Sequence, residues 1–230
     1  VGAIYLIRHG QASFAKSDYD ELSEMGIEQS RALGEALRAR VPQVDAAFCG
    51  TQRRHRQTAD ACLSAYGYAE TAQETADLNE YDADEIVARY EPRYADREAM
   101  FAELSKTGNL RRAFQEMFAQ AVARWVGGQH DADYTEPWPM FRTRCVRALE
   151  DMVQSLGPSK TALVFTSGGP ISAVSQTLLR IPDAHAFQIN WTLVNCGVTK
   201  VIYGERGKYL LTLNEHGHFE GERNAFITYR

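Results

Sequence analysis

Five apolar residues in succession, Ala3-Ile4-Tyr5-Leu6-Ile7, are followed at once by Arg8-His9-Gly10. A continuous apolar run, rather than an alternating one, suits a strand covered on both faces, as in a parallel sheet. Beyond a polar loop, Ser23 can cap a helix whose Ile27, Leu33 and Leu37 recur at helical spacing until Pro42 stops it. A second short strand is predicted around Val44 to Cys49. The basic turn Arg53-Arg54-His55-Arg56 then enters a helical pattern through Ala59, Cys62 and Leu63. Strand, loop and helix thus occur twice in order, which is the signature of an α/β domain.

From about residue 84 to residue 156 no strand pattern appears. Leu110, Phe114, Met117, Phe118 and Val122 recur at offsets of three and four, with Trp125 continuing the face, and this predicts a core-facing helix. Gly127-Gly128, the acidic turn near Asp131 and Asp133, and Pro137 and Pro139 interrupt the pattern. A second amphipathic stretch follows with Phe141, Cys145, Leu149 and Met152. The segment reads as a helical insertion in a single domain spanning residues 1–230. Strand pattern resumes at Ala162-Leu163-Val164-Phe165, followed by Thr166-Ser167-Gly168-Gly169-Pro170 and a helix reaching about Arg180. Finally, Val198 to Tyr203 and Tyr209 to Leu213 flank Gly204-Glu205-Arg206-Gly207 as a hairpin, which predicts an antiparallel strand at the sheet edge. No internal repeat or linker is visible.

Composition narrows the function classes. The chain has 230 residues, 44% hydrophobic and 24% charged, with a net charge of -5, enough for one substantial core. The acidic balance argues against nucleic acid as a partner. No apolar run approaches the ~18 residues needed to span a bilayer, and no signal-peptide core precedes Ala3, so the expectation is a soluble cytoplasmic chain with no membrane partner. Cys49, Cys62, Cys145 and Cys196 lie far apart, without metal or dithiol spacing, and are expected to be reduced thiols.

In a mostly parallel sheet, the loops that leave the carboxyl ends of the strands gather along one edge. Arg8 and His9, Arg54, and the Gly168-Gly169 turn would therefore converge despite their separation in sequence. Two guanidiniums and the amides of a helix start trap a phosphoryl group, because arginine grips oxygens in pairs and stays charged. A histidine among them is set as a nucleophile. The first strand ends in Arg8-His9-Gly10 rather than a Gly-x-Gly-x-x-Gly turn, which discounts a dinucleotide-binding dehydrogenase.

These residues resemble the histidine phosphatase superfamily, which includes cofactor-dependent phosphoglycerate mutases and broad-specificity phosphatases. Leu6-Ile7-Arg8-His9-Gly10 is similar to the nucleophile motif, Arg54-His55-Arg56-Gln57-Thr58-Ala59 to the second arginine motif, and Leu78-Asn79-Glu80 to the general-acid motif. The resemblance covers most of the chain. It implies a three-layer α/β sandwich with a mostly parallel central sheet, an antiparallel edge strand and a helical insertion over the site. It also implies hydrolysis through a phosphohistidine on His9, with no metal or organic cofactor. In that scheme one nitrogen of neutral His9 attacks phosphorus while the other donates to a backbone carbonyl. Arg8 and Arg54 hold the oxygens and depress the His9 pKa. Glu80 protonates the departing oxygen and later activates water.

Two positions depart from the pattern. Ser167 stands where the family has its second histidine; a hydroxyl still donates but carries no charge, and losing one preorganised donor costs roughly 2.7–4 kcal/mol of transition-state stabilisation in other enzymes. Ala15 stands where many relatives have an asparagine, so Gln11 or Ser13 are the candidate substitute donors, alongside Ser167 and Gly168 at the phosphate. Three functions stay open. The first is a phosphatase acting on a phosphorylated small molecule or phosphoprotein, the second a weakly active or inactive phosphate-sensing member of the family, and the third, ranked lower, a mutase. Arg53 and Arg56 are read as solvated residues or guides for an anion, and His55 as structural or exposed. His216 and His218 beside Glu215 have a spacing that could suit a metal but show no third ligand, so a structural role is favoured. Trp125 and Trp138 are read as core.

Overall fold

The computed structural model describes residues 1–13 and 20–229. Ala15 therefore lies outside the described residues. Strand β1 (Gly2–Arg8) is the third-last strand in a six-stranded sheet and is buried on both faces, as its unbroken apolar run requires. Helix α1 (Glu24–Arg40) starts at Ser23, whose hydroxyl accepts from the Gly26 amide at 3.1 Å, and it ends just before Pro42. Strand β2 (Ala46–Cys49) leads into α2 (Arg53–Tyr66), which terminates at Gly67 in the left-handed region (φ 89°). A two-residue strand, β3 (Gln73–Glu74), follows.

Helices α3 (Ala83–Tyr90), α4 (Arg97–Ser105), α5 (Leu110–Val126) and α6 (Trp138–Leu156) come next, without a strand. The remaining elements are β4 (Thr161–Thr166), α7 (Gly168–Leu179), α8 (Ala186–Thr192), β5 (Val198–Gly204) and β6 (Gly207–Glu215).

The sheet order is β3-β2-β4-β1-β5-β6. Strands β1, β2, β3 and β4 are parallel; β5 pairs antiparallel with β1, and β6 antiparallel with β5. The predicted hairpin thus forms one edge of the sheet, joined to β1 through β5, the one named strand that runs against the others.

Two compact units divide the chain. The first comprises Val1–Glu80, Cys145–Ile181 and His185–Arg230, and the second Tyr81–Arg144 with Pro182–Ala184. The predicted helical segment, 84–156, extends beyond the second unit, since the half of α6 from Cys145 onward belongs to the first. In the first unit, Tyr5 and Ile7 of β1 pack with Leu33 and Leu37 of α1 and Cys62 and Leu63 of α2. Ile4 and Leu6, on the opposite face, are also buried, and α7 lies against β1 with every residue from Gly168 to Gln176 buried. The second unit has its own aromatic core. Trp125 meets Trp138 edge-on at 5.3 Å and Tyr81 at 5.1 Å, while Phe141 stacks against Trp138 at 5.8 Å. Leu110, at the start of α5, is 38% exposed, so the core-facing stripe of that helix begins later than its periodicity predicts.

Candidate active site

The carboxyl end of β1 is fixed mainly through its backbone. The His9 amide donates to the Thr166 carbonyl at 2.8 Å, continuing the β1–β4 ladder by one residue, and the His9 carbonyl accepts from Asn195 Nδ2 at 3.0 Å. Gly10 must then be glycine, because a Cβ there would lie 2.4 Å from the Gly26 carbonyl oxygen at the start of α1. Its amide donates to Thr58 Oγ1 at 3.0 Å, and that hydroxyl in turn donates to the Arg54 carbonyl at 2.7 Å. Thr58 thereby sets α2 against the end of β1.

The His9 ring is almost fully buried, and its Nδ1 lies 2.7 Å from the Gly10 carbonyl. A carbonyl can only accept, so Nδ1 carries the proton and Nε2 carries the lone pair of the neutral ring. Burial pushes the His9 pKa well below its ordinary value, and the charges of Arg54 and then Arg8 push it the same way. Arg8 Nη1 donates to the Leu193 carbonyl. Arg54 is buried; its Nη1 pairs with Asp20 Oδ1 at 2.7 Å and its Nη2 donates to Gln52 Oε1 at 2.9 Å. The same Gln52 oxygen accepts the Glu80 amide at 3.1 Å, which ties the Glu80 backbone to the Arg54 guanidinium. The Glu80 carboxyl oxygens accept from the Gly169 amide at 3.1 and 3.2 Å. The Glu80 side chain thus occupies an amide that the first turn of α7 leaves without an intrahelical partner.

Arg8, His9, Arg54, Glu80 and the Ser167-Gly168 turn therefore come together in the first unit. Gln11 and Ser13 follow on the loop after β1. Gln11 Oε1 accepts from Ser23 Oγ at 3.0 Å, and the Ser13 amide donates to the Glu21 carbonyl at 2.7 Å. Arg53 and Arg56 are exposed and pair with Glu21 and Glu74. His216 Nδ1 donates to the Asn214 carbonyl at 2.6 Å, and His218 packs on Phe219 with ring centroids 4.1 Å apart. The four cysteines are free and buried; burial raises Cys49 and Cys196 to about 12, so these thiols stay protonated.

Three residues of the site escape the sequence reading. Gln52 and Asp20 act through contacts that no local pattern announces. His55, read as structural or exposed, is fully buried beside His9, with ring centroids 5.8 Å apart, and its Nε2 lies 2.6 Å from Ser167 Oγ. A signal for its burial was present: His55 is four and seven residues before Ala59 and Cys62, on the stripe by which α2 meets the sheet. Burial, followed by the charge of Arg54, holds His55 neutral as well.

Two imidazoles kept neutral at the cost of their proton affinity make folding pH-dependent. Unfolded, each titrates at about 6.5. In the folded protein their pKa values are depressed, so just below pH 6.5 the unfolded chain binds more protons and stability falls as the pH drops. The limiting slope is about 1.4 kcal/mol per pH unit for each group. His218, pushed down to about 4, adds to the same slope. Asp45, whose pKa is lowered from an already acidic value, contributes only below that window. The urea midpoint is expected to fall between pH 7 and pH 5, and to fall less steeply in a His55→Gln variant. A midpoint constant across that interval would contradict the neutral, buried state of these rings.

Comparison with known proteins identifies the family and the fold. The model of the histidine phosphatase superfamily (branch 1) matches residues 4–127 and 97–216. No curated protein sequence matches. Among solved structures, phosphoserine phosphatase from Entamoeba histolytica, crystallised with phosphoserine, superposes with a TM-score of 0.64 at 14% identity, over 95% of this chain and 99% of that one. Phosphoglycerate mutase from Bacillus anthracis gives 0.64 at 16% identity, over 94% of each chain. A mycobacterial glucosyl-3-phosphoglycerate phosphatase gives 0.61 at 21% identity, over 93% of this chain and 99% of that one. At such identities the likeness is one of fold.

Proposed function

The chain belongs to the histidine phosphatase superfamily, and from that premise we propose that it hydrolyses a phosphomonoester through a phosphohistidine on His9. The observation that carries the reading is the His9 tautomer. Its proton is held on Nδ1 by the Gly10 carbonyl and its ring is kept neutral by burial and two arginines, so the Nε2 lone pair is available for attack.

In the first step Nε2 bonds to phosphorus as the ester P–O bond breaks, and Glu80 gives its proton to the departing alkoxide. In the second step water attacks phosphorus, Glu80 accepts a proton from it, and the P–N electron pair returns to Nε2. Arg8 and Arg54 balance the charge on the equatorial oxygens, and Ser167 and the Gly168 amide donate to them. The substrate class is a phosphorylated small molecule or phosphoprotein, and the setting we propose is cytoplasmic. Support for a small substrate is that phosphatases named for phosphoserine and glucosyl-3-phosphoglycerate share the fold.

The test is rapid acid quench of the enzyme with a phosphorus-labelled aryl phosphate, alongside a panel of sugar phosphates, phosphoglycerates and phosphopeptides. Acid-labile, base-stable label on the wild type, and none on His9→Ala, is the expected result. Saturable phosphate binding with neither label nor turnover would favour the phosphate-sensing alternative, and turnover without label would overturn the covalent route.

A further inference from the structure

Ser167 leaves the site one imidazole short of the pattern its family implies, yet the site contains two imidazoles. The second comes from α2. His55 is 0% exposed, its ring stands 5.8 Å from that of His9, and its Nε2 is 2.6 Å from Ser167 Oγ. We propose that His55 is a positioning residue for phosphoryl transfer, acting through Ser167: its Nε2–H donates to Ser167 Oγ and turns the serine hydroxyl proton toward the transferring phosphoryl oxygens. The inference rests on the phosphohistidine reading above and adds a residue to it.

The tautomer follows from what surrounds the ring. His55 Nδ1 has no hydrogen-bond partner among the described residues, and it lies so close to Gly50 that a Cβ built there would be 2.1 Å from it. A proton on Nδ1 would be a buried, unpaired donor, the more costly of the two omissions, so the single proton of the neutral ring sits on Nε2. The Ser167 oxygen then accepts, and its own hydrogen remains to be donated.

Ser167 itself supplies the second strand of the argument. It occupies the N-cap position of α7 with extended backbone (φ -114°, ψ 176°), where a serine oxygen ordinarily accepts from an amide of the first turn. Here it makes no such bond, and the Gly169 amide is taken by the Glu80 carboxyl instead. The hydroxyl is thus released from capping and held by His55, one residue past the ladder position that fixes His9 through Thr166. No covalent bond changes at either side chain. The pair contributes an oriented donor, and the hydrogen bond from His55 polarises the hydroxyl as negative charge builds on phosphorus.

The experiment compares His55→Leu, His55→Ala, Ser167→Ala, the His55→Leu/Ser167→Ala double variant, and a transposed variant, His55→Ala with Ser167→His, in steady-state turnover of an aryl phosphate. Each single variant is expected to lower kcat by about 10-fold to 10²-fold with a smaller change in KM, since the donor acts most strongly in the transition state. The double variant is expected to be no worse than the weaker single, as for residues acting as a unit. The transposed variant, which roughly conserves ring volume, is expected to recover activity over His55→Ala alone. Wild-type kcat in His55→Leu, or singles whose losses multiply in the double, would overturn the inference.

A readout independent of turnover is the nitrogen NMR of the His55 ring in the wild-type protein, recorded with and without orthovanadate. A protonated Nε2 whose resonance moves on titration is expected, and a protonated Nδ1 or an unmoved resonance would overturn the pairing. Failure of the phosphohistidine reading shows separately, as absent label on His9; failure of this inference alone leaves that label intact.

Discussion

Replacement of His9 by alanine is expected to lower kcat/KM for a phosphomonoester by about 10⁴-fold or more, the loss typical of deleting a covalent nucleophile while its binding groups remain. At 1.36 kcal/mol per decade this is at least ~5 kcal/mol of transition-state stabilisation. The variant should nevertheless fold. Two of the bonds that hold residue 9, from its amide to Thr166 and from Asn195 to its carbonyl, are made to the backbone and survive truncation. Removing the ring deletes the Nδ1 contact to Gly10 but also removes an imidazole whose proton affinity burial had suppressed. Rate and stability should therefore separate, and KM should change far less than kcat. Steady-state turnover with urea unfolding of the same preparation checks both. Residual activity above a few per cent of wild type would place the chemistry on another residue.

The part of this site that sequence could reveal is the part built from local pattern. The Ala3–Ile7 run is a strand in any context that covers both its faces, and the residues after such a strand in a parallel sheet lie at its carboxyl edge, where ligand crevices form. Arg8 and His9 are therefore legible. The start of α1 at Ser23 and its end before Pro42 are equally so, because capping and the missing proline amide act within a few residues. By contrast, β3 consists of two exposed polar residues, Gln73 and Glu74, which are a strand only because Phe48 and Cys49 pair with them. Helices α3 and α4, of eight and nine residues, are too short for periodicity to stand out from a loop.

The site shows the same division. Neither the clasp of Asp20 on Arg54 nor the bridging oxygen of Gln52 has a spacing rule, since each depends on how two loops meet. His55 is the intermediate case. Its helical phase shared the buried stripe of α2, but a histidine inside a basic run, Arg53-Arg54-His55-Arg56, reads first as a solvated charge cluster. In the structure that run divides by phase: Arg53 and Arg56 are exposed while Arg54 and His55 are buried.

That division concentrates one guanidinium, Arg54, on both imidazoles, and it makes the Arg54 variants the second large test. Arg54→Gln is expected to lower kcat/KM by about 10²-fold to 10³-fold, the range found when a preorganised donor to a developing anion is lost. It should also move the acid limb of the pH profile. Arg54 is the leading charge that depresses the His9 pKa, after burial itself. Without it the ring takes up a proton at higher pH, and kcat/KM, which reports the free enzyme, begins to fall at higher pH than in the wild type. Arg54→Lys separates the two effects. A lysine keeps the charge, so the acid limb should stay near its wild-type position, but it cannot reproduce the guanidinium fork that also reaches Asp20 and Gln52, so the rate should still drop. A Gln variant with an unshifted acid limb would remove Arg54 from the electrostatic account of the nucleophile. A Lys variant at full wild-type rate would show that charge alone, without the fork, is what the phosphoryl group requires.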